Sequence, residues 1–176
     1  MVYPLKEIID KGGLNPILEV ISRFSCQDDD VEDFLKNKAV DFENRDKSRT
    51  YLIIDDASDD LIGYFTLSLK ALPFSKEVSK NAIKNIDGFS KDIQAVGIIL
   101  VGQFGKDAVL AKNIDGSSLF DLCMETVYKA QNIIGGRFVL LECREIEKVV
   151  AFYEKQGFGS LQYDDTDSYV QMVRRL

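Results

Sequence analysis

Histidine is absent from all 176 residues. Its absence removes the commonest general base near neutral pH and the commonest transition-metal ligand, which excludes Ser-His and Cys-His triads and ordinary zinc hydrolase sites. Any chemistry must run on carboxylates, tyrosine, backbone groups or a bound cofactor. Cysteine is scarce as well: Cys26, Cys123 and Cys143 are an odd number without C-x-x-C spacing, so buried reduced thiols are expected rather than a disulfide framework or zinc knuckle. Long apolar runs are also missing. VGIILVG at 96–102 falls far short of a bilayer span, and MVYPLKEIIDKGG at the N-terminus lacks the basic start and long apolar stretch of an export signal. A soluble, cytoplasmic protein without a membrane partner is expected.

Positive charge is in deficit. Lysine and arginine number 22 against 29 aspartates and glutamates, a net charge of −7. This is opposite to the electrostatic footprint of a nucleic-acid binder, so nucleic acid is not an expected partner. Lys76, Lys80, Lys84 and Lys91 form a local basic stretch, read as a solvated face without interleaved aromatics. The acidic balance would attract cationic substrates at long range. Apolar residues make up 45% of the chain, enough for a substantial core, and the length suits one domain over 1–176.

The order of elements follows from periodicity and punctuation. Pro16 suits a first helical position, with Ile17, Leu18, Ile21 and Phe24 near helical spacing and the helix ending around Cys26. Asp28, Asp29 and Asp30 offer an N-cap for a second helix with a stripe of Val31, Phe34, Leu35, Ala39 and Phe42; capping explains this acidic run without a metal. TYLIID (50–55) and LIGYFTLSLKAL (61–72) read as a hairpin across DASDD. Ser75 could start a short helix, and QAVGIILVGQF (94–104) reads as a central strand buried on both faces. A long amphipathic helix is expected from Ser117 to Ile134, stopped by Gly135 and Gly136. RFVLLEC then forms a buried strand, 146–156 a helix with Val149, Val150, Phe152 and Tyr153 inward, and GSLQY and SYVQMVRR two last strands.

This layout, over roughly residues 14–176, together with FYEKQGF at 152–158, resembles the GNAT superfamily of acyl-CoA-dependent N-acetyltransferases. The resemblance implies an α/β (α+β) fold with a mixed, mostly antiparallel, splayed sheet flanked by helices, using acetyl-CoA as co-substrate and no metal. It places the diphosphate at the entrance to the long helix, where first-turn N–H groups and the helix dipole favour an anion. NIDGSS occupies that place, so Lys112, Asn113, Ile114, Asp115, Gly116, Ser117 and Ser118 are the implied cofactor loop. Against the family pattern Q/R-x-x-G-x-G/A, only Gly116 is a full match. Asp115 puts negative charge beside the diphosphate, which Lys112 and Lys106 could offset, and the stretch from Lys106 to Lys112 is longer than usual. Phe104 and Gly105 fall where the family's strand pairs with pantetheine, and Gly102 and Gly105 allow a bulge or close approach.

FYEKQGF matches the family's F-Y-x-x-x-G-F, which puts Tyr153 near the cofactor sulfur. A phenol, ordinarily with pKa near ~10, is protonated at neutral pH and can return a proton to a departing thiolate. The same tyrosine is equally a packed aromatic before a Gly157 cap. Glu142, charged within the apolar FVLLEC strand, is the candidate base for an attacking ammonium, or else a structural partner of Arg144 or another cation. Cys143 is read as a small buried residue rather than an acetyl carrier. The implied acceptor is a primary amine on a small molecule or protein. Some members of the superfamily are toxins that acetylate aminoacyl-tRNA under the restraint of a partner protein, and FYEKQGF suits them too. A non-catalytic binding module and a homodimer also stay open.

Overall fold

A computed structural model of the chain describes residues 1–166 and 168–176. Among the described residues, seven strands form one mostly antiparallel sheet in the order β1 (Val2–Pro4), β2 (Arg49–Ile54), β3 (Leu61–Pro73), β4 (Ala95–Lys106), β5 (Phe138–Cys143), β7 (Val170–Arg175), β6 (Gly159–Tyr163), the α/β class expected. The chain gathers into two compact units, Met1–Ser68 with Gly102–Glu125 and Leu69–Val101 with Thr126–Leu176.

The first unit opens with β1 (Val2–Pro4), α1 (Leu5–Gly12) and α2 (Leu14–Ser22). Neither β1 nor α1 was legible in MVYPLKEIIDKGG. Gly13, at φ 83°, separates the two helices, so α2 begins at Leu14 and Pro16 sits in its first turn rather than at its first position. Asp28 caps the next helix as expected, its carboxylate accepting from Asp30 N at 3.0 Å and Val31 N at 3.4 Å. That helix is not continuous: α3 (Asp29–Asp33) passes through a π-helical turn (Phe34–Lys38) into α4 (Ala39–Asn44). The wider turn accommodates an extra residue without breaking the helix, and Phe34, Leu35 and Ala39 remain buried.

β2 (Arg49–Ile54) and β3 (Leu61–Pro73) form the expected hairpin. Tyr51 and Phe65 lie directly across from one another and stack at 5.0 Å, the pairing that stabilises such ladders. Leu5, Ile17, Ile21, Phe24, Leu35 and Tyr64 anchor the core of this unit. Two glycines allow backbones to meet closely: a Cβ on Gly63 would stand 2.9 Å from the Gly105 carbonyl oxygen, and one on Gly105 would stand 2.8 Å from the Tyr64 ring. The requirement for glycine at 105 is therefore steric.

In the second unit, α5 (Lys80–Asp87) is capped by Ser79, which accepts from Ala82 N at 3.2 Å, rather than by Ser75. β4 (Ala95–Lys106), which belongs to this unit as far as Val101 and to the first from Gly102, is only partly covered, since Ala95, Gly97 and Gly102 are exposed while Ile98, Ile99 and Val101 are buried. Its parallel register with β5 (Phe138–Cys143) is Ile99↔Val139, Leu100↔Leu140 and Val101↔Leu141. The last elements are α7 (Glu147–Lys155), β6 (Gly159–Tyr163) and β7 (Val170–Arg175), with β7 antiparallel to both β5 and β6. Leu72, Ile86, Ile98, Phe138 and Leu140 form the core of the unit. α6 (Gly116–Ile134) starts one residue before the expected Ser117 and contributes residues to both units. Among the described residues, no helix is long and apolar enough to cross a membrane, and no cluster of three metal-ligating side chains is found.

Candidate functional site

The proposed cofactor loop is built where β4 ends. Phe104 is half-buried, with its ring edge-on to Phe120 at 5.0 Å, and Gly105 is buried beside Tyr64. Lys106 reaches across the following turn, its Nζ donating to the Ile114 carbonyl at 2.7 Å. Asp107 is only 1% exposed. Its Oδ1 accepts from Val109 N at 2.8 Å and Leu110 N at 2.7 Å, and its Oδ2 from Ser25 N at 2.9 Å. This ordered turn accounts for the unusual length of 106–112. Two further turn hydrogen bonds carry the chain to the helix, a long one from Lys112 N to Val109 O at 3.4 Å and one from Ile114 N to Ala111 O at 2.9 Å.

Lys112, Asn113 and Asp115 are exposed, while Ile114, Gly116 and Ser117 are half-buried and Ser118 is exposed. Gly116, Ser117 and Ser118 form the first turn of α6, and Leu119 N donates back to Asp115 O at 3.4 Å. Helical geometry offers first-turn N–H groups no acceptor within the helix, and the positive end of the dipole lies there. A helix entrance of this kind is where the expected diphosphate would lie. Lys106, not Lys112, is the cation held against the loop.

In the second unit, Tyr153 lies half-buried on α7 between two other rings, Phe152 at 5.1 Å and Phe158 at 6.2 Å, both edge-on. Gly157 ends the helix at φ 83°, with its N–H on Glu154 O at 2.9 Å, and Phe158 is buried immediately after it. Both halves of the local reading thus have a structural basis: the glycine is a left-handed cap and the aromatics pack. The expected inward face is shallower than anticipated, since Val149, Val150, Phe152 and Tyr153 are all half-buried.

Glu142, half-buried on β5, is paired with Lys70 rather than Arg144. Its Oε1 accepts from Lys70 Nζ at 2.5 Å and from Gln171 Nε2 at 2.6 Å. Gln171 is buried, and its own Oε1 accepts from Gln162 Nε2 at 2.7 Å. Gln162 is in turn fixed by Pro73 O at 2.8 Å and Ser75 N at 2.9 Å. The Cys143 thiol donates to Met172 Sδ at 3.7 Å, and burial pushes its pKa up to about 11. At neutral pH about one such thiol in 10⁴ would be ionised, which argues against an acetyl carrier. Burial also raises Cys123 and, more moderately, Cys26.

Known structures supply the comparison. AtaT solved with acetyl-methionyl-tRNAfMet is similar with a TM-score of 0.71 at 20% identity, over 97% of this chain and 92% of the other. AtaTR solved with AcCoA is similar with a TM-score of 0.69 at 19% identity, over 97% and 91%. A tyrosine-to-phenylalanine variant of KacT gives a TM-score of 0.69 at 22% identity, over 97% and 92%. The chain has the GNAT fold. No protein-family model and no curated protein matches the sequence.

Within the GNAT fold, the expected diphosphate and pantetheine positions, Phe104, Gly105 and 112–118, lie together in the first unit, whereas Glu142 and Tyr153 lie in the second. The expectation against nucleic acid is not borne out, because one similar structure holds a tRNA. Lys76, Lys80, Lys84 and Lys91 are all exposed, Lys80 being paired with Asp92 at 2.8 Å, and Phe89, between them in sequence, is 91% exposed. Sequence reasoning also missed Asp107, Lys70, Gln162 and Gln171. Only Asp107 carried a local signal, an aspartate placed to accept the N–H groups two and three residues on.

Proposed function

We propose that the protein is an N-acetyltransferase that moves acetyl from acetyl-CoA directly to a primary amine, and that the amine belongs to an aminoacyl-tRNA. The observation that carries the first statement is the likeness of nearly the whole chain to a protein solved with AcCoA. The likeness to a structure holding acetyl-methionyl-tRNAfMet favours the acceptor, and exposed Lys76, Lys84, Lys91 and Phe89 are groups of the kind that contact nucleic acid.

In this proposal the entrance to α6 takes the diphosphate through backbone N–H groups, with Lys106 and Lys112 offsetting Asp115. The main chain at Phe104 and Gly105 pairs with the pantetheine amides. The acceptor ammonium gives up a proton to Glu142, directly or through water, and the amine nitrogen attacks the thioester carbonyl. As the C–N bond forms, the C–S bond breaks, and the Tyr153 hydroxyl returns a proton to the departing thiolate. The attacking nitrogen sheds its second proton through water to the tyrosinate, so the products are an N-acetylated acceptor, free coenzyme A and the one proton that Glu142 releases to solvent. Positioning of amine against thioester supplies much of the rate.

Titration calorimetry with acetyl-CoA, followed by mass analysis of aminoacyl-tRNA and a panel of free amines, tests both statements. Micromolar binding with acetyl found on the aminoacyl group supports them. Binding with transfer to another amine only would replace the acceptor. No binding at millimolar acetyl-CoA would favour the second reading, a GNAT-fold binding module without catalysis, for which Asp115 and the single full match at Gly116 speak.

A further inference from the structure

Lys106 closes a loop. It is the last residue of β4, its side chain is half-buried, and its ammonium bonds a backbone carbonyl eight residues further on. The accepting residue, Ile114, lies two positions before Gly116, where α6 begins. The near end of this loop cannot drift. Asp107 N donates to Ile62 O at 2.9 Å, Ala108 N donates to Ser25 O at 2.8 Å, and the buried Asp107 carboxylate takes three more N–H groups. Ala111, within the loop, is fully buried. The far end, by contrast, runs through exposed Lys112, Asn113 and Asp115.

A bond from a charged donor to a carbonyl is stronger than a neutral one. It also places positive charge against the negative end of the Ile114 peptide and close in sequence to Asp115. Both effects act on the segment whose N–H groups must face an anion.

We infer that Lys106 is a positioning residue: by clasping the Ile114 carbonyl to the fixed end of β4, it holds the entrance to α6 in the form that takes the coenzyme diphosphate. The inference rests on the proposal that 112–118 is the diphosphate loop. The lysine acts through the loop, so its removal loosens the segment first and weakens coenzyme binding as a consequence.

The test compares Lys106→Met, which keeps the packed stem, with Lys106→Arg, which keeps a charged donor. Amide hydrogen exchange over 108–118 is measured without ligand, and coenzyme A affinity and steady-state kinetics are measured in parallel. For Lys106→Met, exchange in 112–118 should accelerate, and the Kd for coenzyme A and KM for acetyl-CoA should rise roughly tenfold. kcat should stay within about twofold, because an interaction made equally in ground and transition states changes KM alone. Lys106→Arg should recover most of both. Weakened binding with unchanged exchange would mean direct contact with the ligand and would overturn the clasp, as would unchanged exchange and affinity together. If the wild-type protein binds no coenzyme A while exchange still accelerates in Lys106→Met, the clasp stands and the acyl-CoA proposal falls.

Discussion

Near the start of α6, charged side chains hold main chain: Lys106 takes a carbonyl and Asp107 takes three N–H groups. Around β5, side chains hold one another, with Lys70 and Gln171 on Glu142 and Gln162 on Gln171, and main chain enters only at the outer end, where Gln162 meets Pro73 O and Ser75 N. Main-chain groups are present whatever the sequence, so gripping them fixes a path. A chain of side chains instead fixes one carboxylate and fails at any link. Substitutions in the first region should therefore act on stability and loop order, and those in the second on turnover with the fold intact.

The largest expected effect tests whether the second region is chemical at all. Tyr153→Phe should lower kcat by about 10³-fold, within the range of general acid catalysis, with coenzyme affinity in calorimetry nearly unchanged. Unaltered turnover would remove the tyrosine from the mechanism. Asp107→Ala removes the acceptor of three part-buried N–H groups, so denaturant unfolding should show a loss of about 2 kcal/mol; a loss under about 0.5 kcal/mol would mean the first region is not organised by this carboxylate. Glu142→Gln should reduce kcat about a hundredfold and Gln171→Leu about tenfold, with melting temperatures close to wild type. Equal destabilisation by both, without a kinetic effect, would make the β5 network structural and erase the contrast.

Two smaller effects are local to the second region. The Cys143 thiol is raised by burial from 9.0 to about 11, so between these values the folded state keeps a proton that the unfolded chain loses. Its contribution is complete below pH 9 and is lost as pH climbs to about 11, at most about 2 kcal/mol. Comparing the pH dependence of unfolding in wild type and Cys143→Ala measures it, and parallel curves would refute it. Gly157→Ala, forcing a side chain onto φ 83°, should cost about 1 kcal/mol in thermal unfolding.

How far these features could be read beforehand depended on the range of the interaction. Asp28 capping α3, the β2–β3 hairpin, the Gly157 stop and the long α6 are set by neighbours within a few residues, and all were legible. The break in α2's approach at Gly13, the π turn at 34–38 and the capping of α5 by Ser79 were not, because competing local signals were of similar strength. That Glu142 could pair with Arg144 or another cation was legible, but which cation was not, for a different reason. Arg144 is two residues away, whereas Lys70 is 72 positions distant and becomes a neighbour only through the strand order.

The sequence by itself determined that this chain lacks histidine chemistry, alternates strands with helices in a recognisable order, and carries a glycine where α6 begins and an aromatic-glycine stop after α7. These are properties of composition and short-range pattern, on which hydrophobic period and backbone freedom act directly. Only the tertiary structure decided that Gly105 yields space to Tyr64, that Asp107 is a buried hub with Ser25, and that Glu142 is bound by Lys70 and Gln171. Hydrogen bonds and close packing need atoms within a few ångströms, and chain folding alone brings residues so far apart in sequence to that distance.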